Sequence, residues 1–151
     1  MNKRTKNKKL FPILNILIPI LSGAIFYYLS SPDVWFVEIV DRFLGIAFHP
    51  LSMDGSNPIY HFFRCYGLDM LWAYAFVFAL SVMIGHNSND RLSIFIIAVV
   101  FSTGMEVLQQ THWVAGTFDV LDIVFELLAE LIAFIQIKRH NRRYESYEEK
   151  N

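Results

Sequence analysis

The chain has 151 residues, room for one domain, and 54% of them are hydrophobic against only 18% charged. An ordinary soluble domain carries about 25% charge, so this composition excludes one and points to a membrane protein. A net charge of −1 gives no nucleic-acid signal, and a single cysteine, Cys65, excludes both an intramolecular disulfide and a thiolate-cluster metal site.

The start, residues 1–9, is a basic segment holding Lys3, Arg4, Lys6, Lys8 and Lys9. Residues 10–29 follow as the first apolar stretch, broken by Pro12, Asn15, Pro19, Ser22 and Gly23. A hydrocarbon core about 30 Å thick needs roughly 20 mostly apolar residues of helix, and proline is tolerated there. A cleaved signal peptide is the competing reading, since the start is basic and residues 22–24 are small. The apolar run is longer than the roughly 7–15 residues of such peptides. Tyr27 and Tyr28 then stand where an interfacial aromatic belt would be. The retained helix is the reading adopted.

Residues 33–49 read as an amphipathic helix. At about 100° per residue, Glu38, Asp41, Arg42 and His49 share one side, while Trp35, Phe36, Ile39, Val40, Phe43 and Phe48 fill most of the rest. Glu38 and Arg42 are spaced for an i,i+4 pair. Such a helix is expected to lie in the outer membrane interface, with a re-entrant or packed helix as the alternative. Residues 53–58 form a turn cluster, and Tyr60, Phe62 and Phe63 return the chain toward the membrane.

Three more segments are long enough to span a bilayer: residues 65–84, ending at Gly85, then 92–110, then 118–137. The fold expected is an all-α, polytopic transmembrane bundle of four helices plus the outer amphipathic helix. It divides into the basic N-terminus 1–9, a transmembrane domain 10–137 and a charged tail 138–151. Eleven of the 13 Lys and Arg fall at the two ends or at Arg91, and only Arg42 and Arg64 fall in the alternate segments. The positive-inside rule then places both termini in the cytoplasm.

Ionisable side chains inside a membrane are functional candidates because they are expensive there. The last segment carries Asp119, Asp122, Glu126 and Glu130 at spacings of 3, 4 and 4, a single acidic stripe on an otherwise apolar helix. The third segment offers Glu106 and Gln109 near its outer end, and the second places Asp69 one turn inside its own. A seven-residue connection makes the last two segments antiparallel neighbours, so Glu106 and Asp122 are expected at equal depth and in contact. The candidate site is therefore Asp69, Glu106, Gln109, Asp119, Asp122 and Glu126. Against it stand simpler roles: interhelical hydrogen-bonding glue for the carboxyls, a helix-capping acid for Asp119, and packing or an interfacial aromatic belt for Tyr66, Trp72 and Tyr74.

Oxygen ligands suit a cationic headgroup or a divalent ion, and crowded carboxyls suit proton transfer. No HExxH, GxSxG, Cys–His or phosphate-binding glycine pattern occurs, so no metal site, cofactor or hydrolase chemistry is read and an enzyme is not favoured. The expected function is binding a lipid, lipid-linked or cationic small ligand from the outer side. A membrane enzyme or proton-coupled carrier using the carboxyls as acid and base is one alternative. A structural partner of another membrane protein is the other.

Over residues 106–133 the chain resembles the VanZ-like family of small bacterial membrane proteins. The likeness rests on Glu106-x-x-Gln109 near the end of one helix, a short loop, and Asp119-x-x-Asp122 opening the next. Departures are Gly116 and Thr117 where the family commonly has an arginine, and Glu126, Ala129 and Ala133 where it has asparagine and glycines. The resemblance implies a cell-envelope role at the outer face of a bacterial cytoplasmic membrane, and the family's founding member is linked to resistance to a glycopeptide antibiotic. Membrane lipids are the expected partners.

Overall fold

The structure, a computed structural model, describes residues 3–31, 34–50, 57–85, 90–111, 113 and 118–148. Among these, all regular structure is helical: α1 (Lys3–Ser30), α2 (Trp35–Leu44), α3 (Pro58–Ile84), α4 (Asp90–Gln110) and α5 (Val120–Glu148). The expected start of the amphipathic helix at Asp33, most of the turn cluster 53–58, His112, and Gly116 with Thr117 lie outside the described residues.

Three stretches are long and apolar enough to cross a membrane: Leu10–Ser30, Pro58–Ile84 and Arg91–Gln110. The second begins seven residues earlier than the sequence suggested. Asn57 caps it through Ile59 N–H at 2.9 Å, with Pro58 in the first turn. A five-residue π turn, Phe63–Gly67, then joins this start to the α-helix Leu68–Ile84. Gly67 in that turn has no room for a side chain, because a Cβ there would come within 2.7 Å of the Phe63 ring. The helix α5 is not among the apolar three. Its residues 120–137 include Asp122, Glu126 and Glu130, and each charged group at the centre of a membrane helix costs about 3 kcal/mol.

The most apolar helix, α3, is the hub. It packs on α1, α4 and α5, and α5 packs in turn on α4. Along α1 and α3 the contacts run antiparallel: Gly23 faces Leu68 and Leu71, Asn15 faces Tyr74, and Phe11 meets Phe78 edge-on at 5.7 Å. Along α4 and α5, Phe95 meets Phe134 at 5.2 Å while Glu106 meets Asp119. Those two are therefore antiparallel neighbours, as the short connection implied. The start of α1 and the end of α5 lie at one end of the bundle, and α2 with the end of α4 and the start of α5 lies at the other.

The core cluster is Val77, Phe78, Ile94, Ala98, Ala133 and Ile137. Its alanines let backbones approach, which matters in lipid because tail and side chain are equally apolar and association depends on close packing. The outward surfaces are apolar too: Leu17, Ile18 and Leu21 on α1, Val100 on α4 and Ile132 on α5 are all exposed. Tyr74 packs between helices, and its hydroxyl is also within hydrogen-bonding reach of Asn15 Oδ1 and 2.9 Å from Gln136 Oε1.

The amphipathic helix is shorter than its pattern. It stops at Leu44 because Gly45 takes a left-handed φ of 68° and returns its N–H to Asp41 O at 2.8 Å. The expected Glu38–Arg42 pair forms at 3.7 Å between exposed side chains and contributes little. Asp41 does not face solvent. It accepts the Tyr28 hydroxyl at 2.7 Å and His49 Nε2–H at 2.8 Å, while His49 Nδ1–H donates to the Tyr28 carbonyl at 2.8 Å. A carbonyl and a carboxylate only accept, so both ring nitrogens carry protons and His49 is an imidazolium.

This latch ties α2 and the following segment to the end of α1, and it is pH-dependent. Donation by Tyr28 and then by His49 holds Asp41 below its ordinary 3.8, and the bonds to Asp41 and to the Tyr28 carbonyl hold His49 above its ordinary 6.5. The His49 contribution is full below 6.5 and fades as pH rises through its raised value. The Asp41 contribution is full above 3.8 and fades as pH falls through its lowered value. Docking of residues 34–49 is therefore tightest between those two ordinary values. Protection of this segment's amides, taken relative to their intrinsic exchange rates at each pH, should be highest in that window, and His49→Asn should flatten the alkaline side. Equal protection in the wild type at mildly acidic and alkaline pH would contradict the latch.

Candidate functional site

The acidic residues converge where α3, α4 and α5 meet, at the end of the bundle away from the termini. Asp119 opens α5. One carboxyl oxygen accepts Leu121 N–H at 2.9 Å, and the other accepts the Tyr66 hydroxyl at 3.3 Å. Its carbonyl accepts Asp122 N–H at 3.1 Å. Both carboxyl oxygens are thus engaged in capping α5 and joining it to α3, and of its two sequence readings the capping one describes its contacts.

One turn further in, Asp122 lies within electrostatic reach of Asp69, Glu106 and Asp119. Glu106, 5% exposed, lies against the start of α5 and feels Asp69 and Asp119. The expected contact of Glu106 with Asp122 is not among the hydrogen bonds of the described residues; Glu106 acts on Asp122 through its charge. Glu126 follows on the same stripe, coupled to Asp69, Glu106, Glu130 and Asp122. Asp69 sits on the exposed side of α3 and reaches all three of Glu106, Asp122 and Glu126, so it stands at the rim. Gln109 is half-buried one turn beyond Glu106 toward the α4–α5 connection.

Several oxygens in this group are buried without a hydrogen-bond partner: Glu106 Oε2, Asp122 Oδ1, Glu126 Oε2 and both carboxyl oxygens of Glu130. Buried polar groups are otherwise satisfied in most proteins. The groups that act on Asp122 and Glu126 are themselves acidic. Carboxylates crowded together in an apolar interior cannot all stay ionised, so protons or a cation must neutralise them. Among the described residues no three of His, Cys, Asp and Glu are arranged to hold a metal ion, so the arrangement suits an organic cation, a hydrogen-bonding headgroup or protons.

No protein-family model, no curated protein and no solved structure matches this chain.

Aromatic rings stand beside the opening of the acidic stripe. Phe62, Tyr66 and Phe125 meet one another with centroids 5.0–5.6 Å apart, and Phe26 with Tyr60 and Phe63 extends the group toward α1. Sequence reading took Tyr66 as a packing or interfacial aromatic and did not foresee its bond to Asp119. It placed Glu130 on the stripe but left it out of the site. The signal was present in its spacing of four from Glu126; that it is wholly buried beside Ser102 required the packing of α4 on α5.

Proposed function

We propose that the chain is a four-span protein of a bacterial cytoplasmic membrane, VanZ-like, with both termini inside and an acidic pocket open to the outer side. The pocket binds a cationic or hydroxyl-rich group of a lipid or cell-wall precursor, which gives the protein a role in the cell envelope. The observation that carries this reading is the set of buried, partnerless carboxyl oxygens on Glu106, Asp122 and Glu126. An ammonium or a diol supplies the hydrogen-bond donors those oxygens lack, and an ammonium also supplies the charge.

In this reading α5 is the fourth span, its stripe neutralised by ligand or protons and its remaining faces apolar. The α2 helix lies on the outer interface. Trp35 is 75% exposed and Phe43 88%, with Ile46 and Phe48 also uncovered, an apolar surface that headgroup and acyl-chain boundaries accommodate. The concentration of Lys and Arg at the two ends supports the orientation. Reporter fusions after Gly85 and after Val114 test it, with a cytoplasmic signal expected at the first and an outer one at the second. The reverse pattern would overturn the orientation. Binding is tested by native mass spectrometry of protein released in mild detergent. Retention of phosphatidylethanolamine or phosphatidylglycerol is expected, and a lipid-free spectrum in membranes rich in both would defeat the reading.

A further inference from the structure

Glu130 lies beyond the residues that the binding reading uses. It follows Asp122 by eight residues of helix, roughly 12 Å deeper along α5. Its side chain is wholly buried, at 0% exposure, and neither carboxyl oxygen has a hydrogen-bond partner. The Ser102 hydroxyl faces it from α4, yet that hydroxyl donates to the Val99 carbonyl at 3.3 Å. Its titratable neighbour on its own helix is Glu126. From α4, Glu106, and from α3, Asp69, reach Glu126 one turn nearer the opening. No interaction in this chain of groups is with a positive charge, so the neutral acid is the species this packing accommodates.

What lies on the far side of Glu130 is different in kind. Toward the termini, Ala98 and Ile94 of α4, Val77 and Phe78 of α3, and Ala133 and Ile137 of α5 close together as the buried core. The carboxyl sequence Asp122, Glu126, Glu130 thus runs inward at spacings of four and ends against an apolar layer two helical turns thick. Carboxyls one turn apart on a helix face can pass a proton directly or through one water. The apolar side chains of that layer cannot, and the polar groups at its level, Tyr74, Asn15 and Gln136, are bonded to one another.

We propose that Glu130 is a proton-exchanging carboxyl at the closed end of the pocket, loaded and unloaded only from the α4–α5 side. Exchange is a reversible O–H ionisation: the proton leaves Glu130 for Glu126, then Asp122, then water at the opening, and returns by the same route. A cationic group entering the pocket would displace it outward, one proton for each positive charge accepted. The protein is then a proton-exchanging binder and does not conduct protons across the membrane. This rests on the proposed pocket for its ligand, but the proton site stands on the burial and the apolar seal.

Dicyclohexylcarbodiimide tests it. The reagent partitions into membranes from either side, adds the protonated carboxyl across one C=N bond, and rearranges to a stable N-acylurea, with no leaving group. Full-length protein in native membrane vesicles is treated and Glu130 modification is read by peptide mass spectrometry, with Glu130→Gln as the unmodified control. Modification of Glu130 is expected, rising by up to about tenfold per unit of pH lowered on its alkaline side. That response should follow the pH of the compartment facing the α4–α5 connection. In vesicles of the opposite sidedness it should follow the other compartment. Absence of modification while Glu126 is modified would overturn the site, and a response to the pH on the termini side would overturn the seal. Either failure leaves lipid retention by Glu106 and Asp122 unaffected, whereas a lipid-free protein whose Glu130 still responds would sink the binding reading alone.

Discussion

Changing Glu106 to Gln and Asp122 to Asn together should abolish lipid retention while leaving the bundle folded. The amides keep the shape of the acids. What disappears is the charged acceptor. A hydrogen bond to a charged group contributes about 1.5–3 kcal/mol, so each single change should weaken retention about tenfold or more and the pair about a hundredfold. Helix content should not fall, because removing two of several crowded acids relieves their mutual repulsion. Asp119→Asn provides the contrast: its oxygens are occupied in capping and in the Tyr66 bond, so it should lower stability by about 1 kcal/mol or less and change retention little. If both pocket variants retained lipid like the wild type, the pocket would not be the binding site. If they failed to accumulate in membranes, the carboxyls would be interhelical glue.

Phe78→Ala should be the most destabilising single truncation in the bundle. Phe78 is fully buried in the hub helix, meeting Phe11 at 5.7 Å and Tyr74 at 5.1 Å, and it belongs to the core that joins α3 to α4 and α5. Truncating a buried phenylalanine costs about 3–5 kcal/mol in water-soluble cores. In a bilayer the transfer part is missing, because a released side chain is still in an apolar medium, and the packing part remains. A loss of about 2 kcal/mol is the expectation, measured by denaturation with a strong detergent in mixed micelles. Phe43→Ala, at 88% exposure, should leave that transition in place. Equal effects of the two would mean that the core is not what holds the helices together.

The helices were legible because their signals are local. Apolar length marked the first and third spans within a residue at each end, and Gly85 ended the second where its φ of 112° departs from helix. The start of α3 was missed by seven residues because Tyr60, His61 and Arg64 dilute the apolar run, while the cap by Asn57 is a short-range device that hydropathy does not weigh. The amphipathic pattern over 33–49 ran past the true end of α2, since periodicity continues through Gly45 but backbone conformation does not. Its pattern puts Asp41 and His49 on one polar side with Glu38 and Arg42; the two turned inward because Tyr28 offered a donor and a carbonyl.

The sequence by itself determined that this is a helical membrane-type chain with an acidic stripe at helical spacing on its last helix, because composition and the 3.6-residue period are properties of consecutive residues. It also implied that Glu106 and the start of that helix are neighbours, because a short connection leaves little freedom. Only the tertiary structure decided which carboxyls are engaged and which are not. Asp119 found an N-cap and Tyr66, while Glu130, on the same stripe, was packed against α4 with neither oxygen hydrogen-bonded. That difference depends on which side chains the neighbouring helices present at each level, and a pairing between residues 53 apart, such as Tyr66 with Asp119, has no signature along the chain.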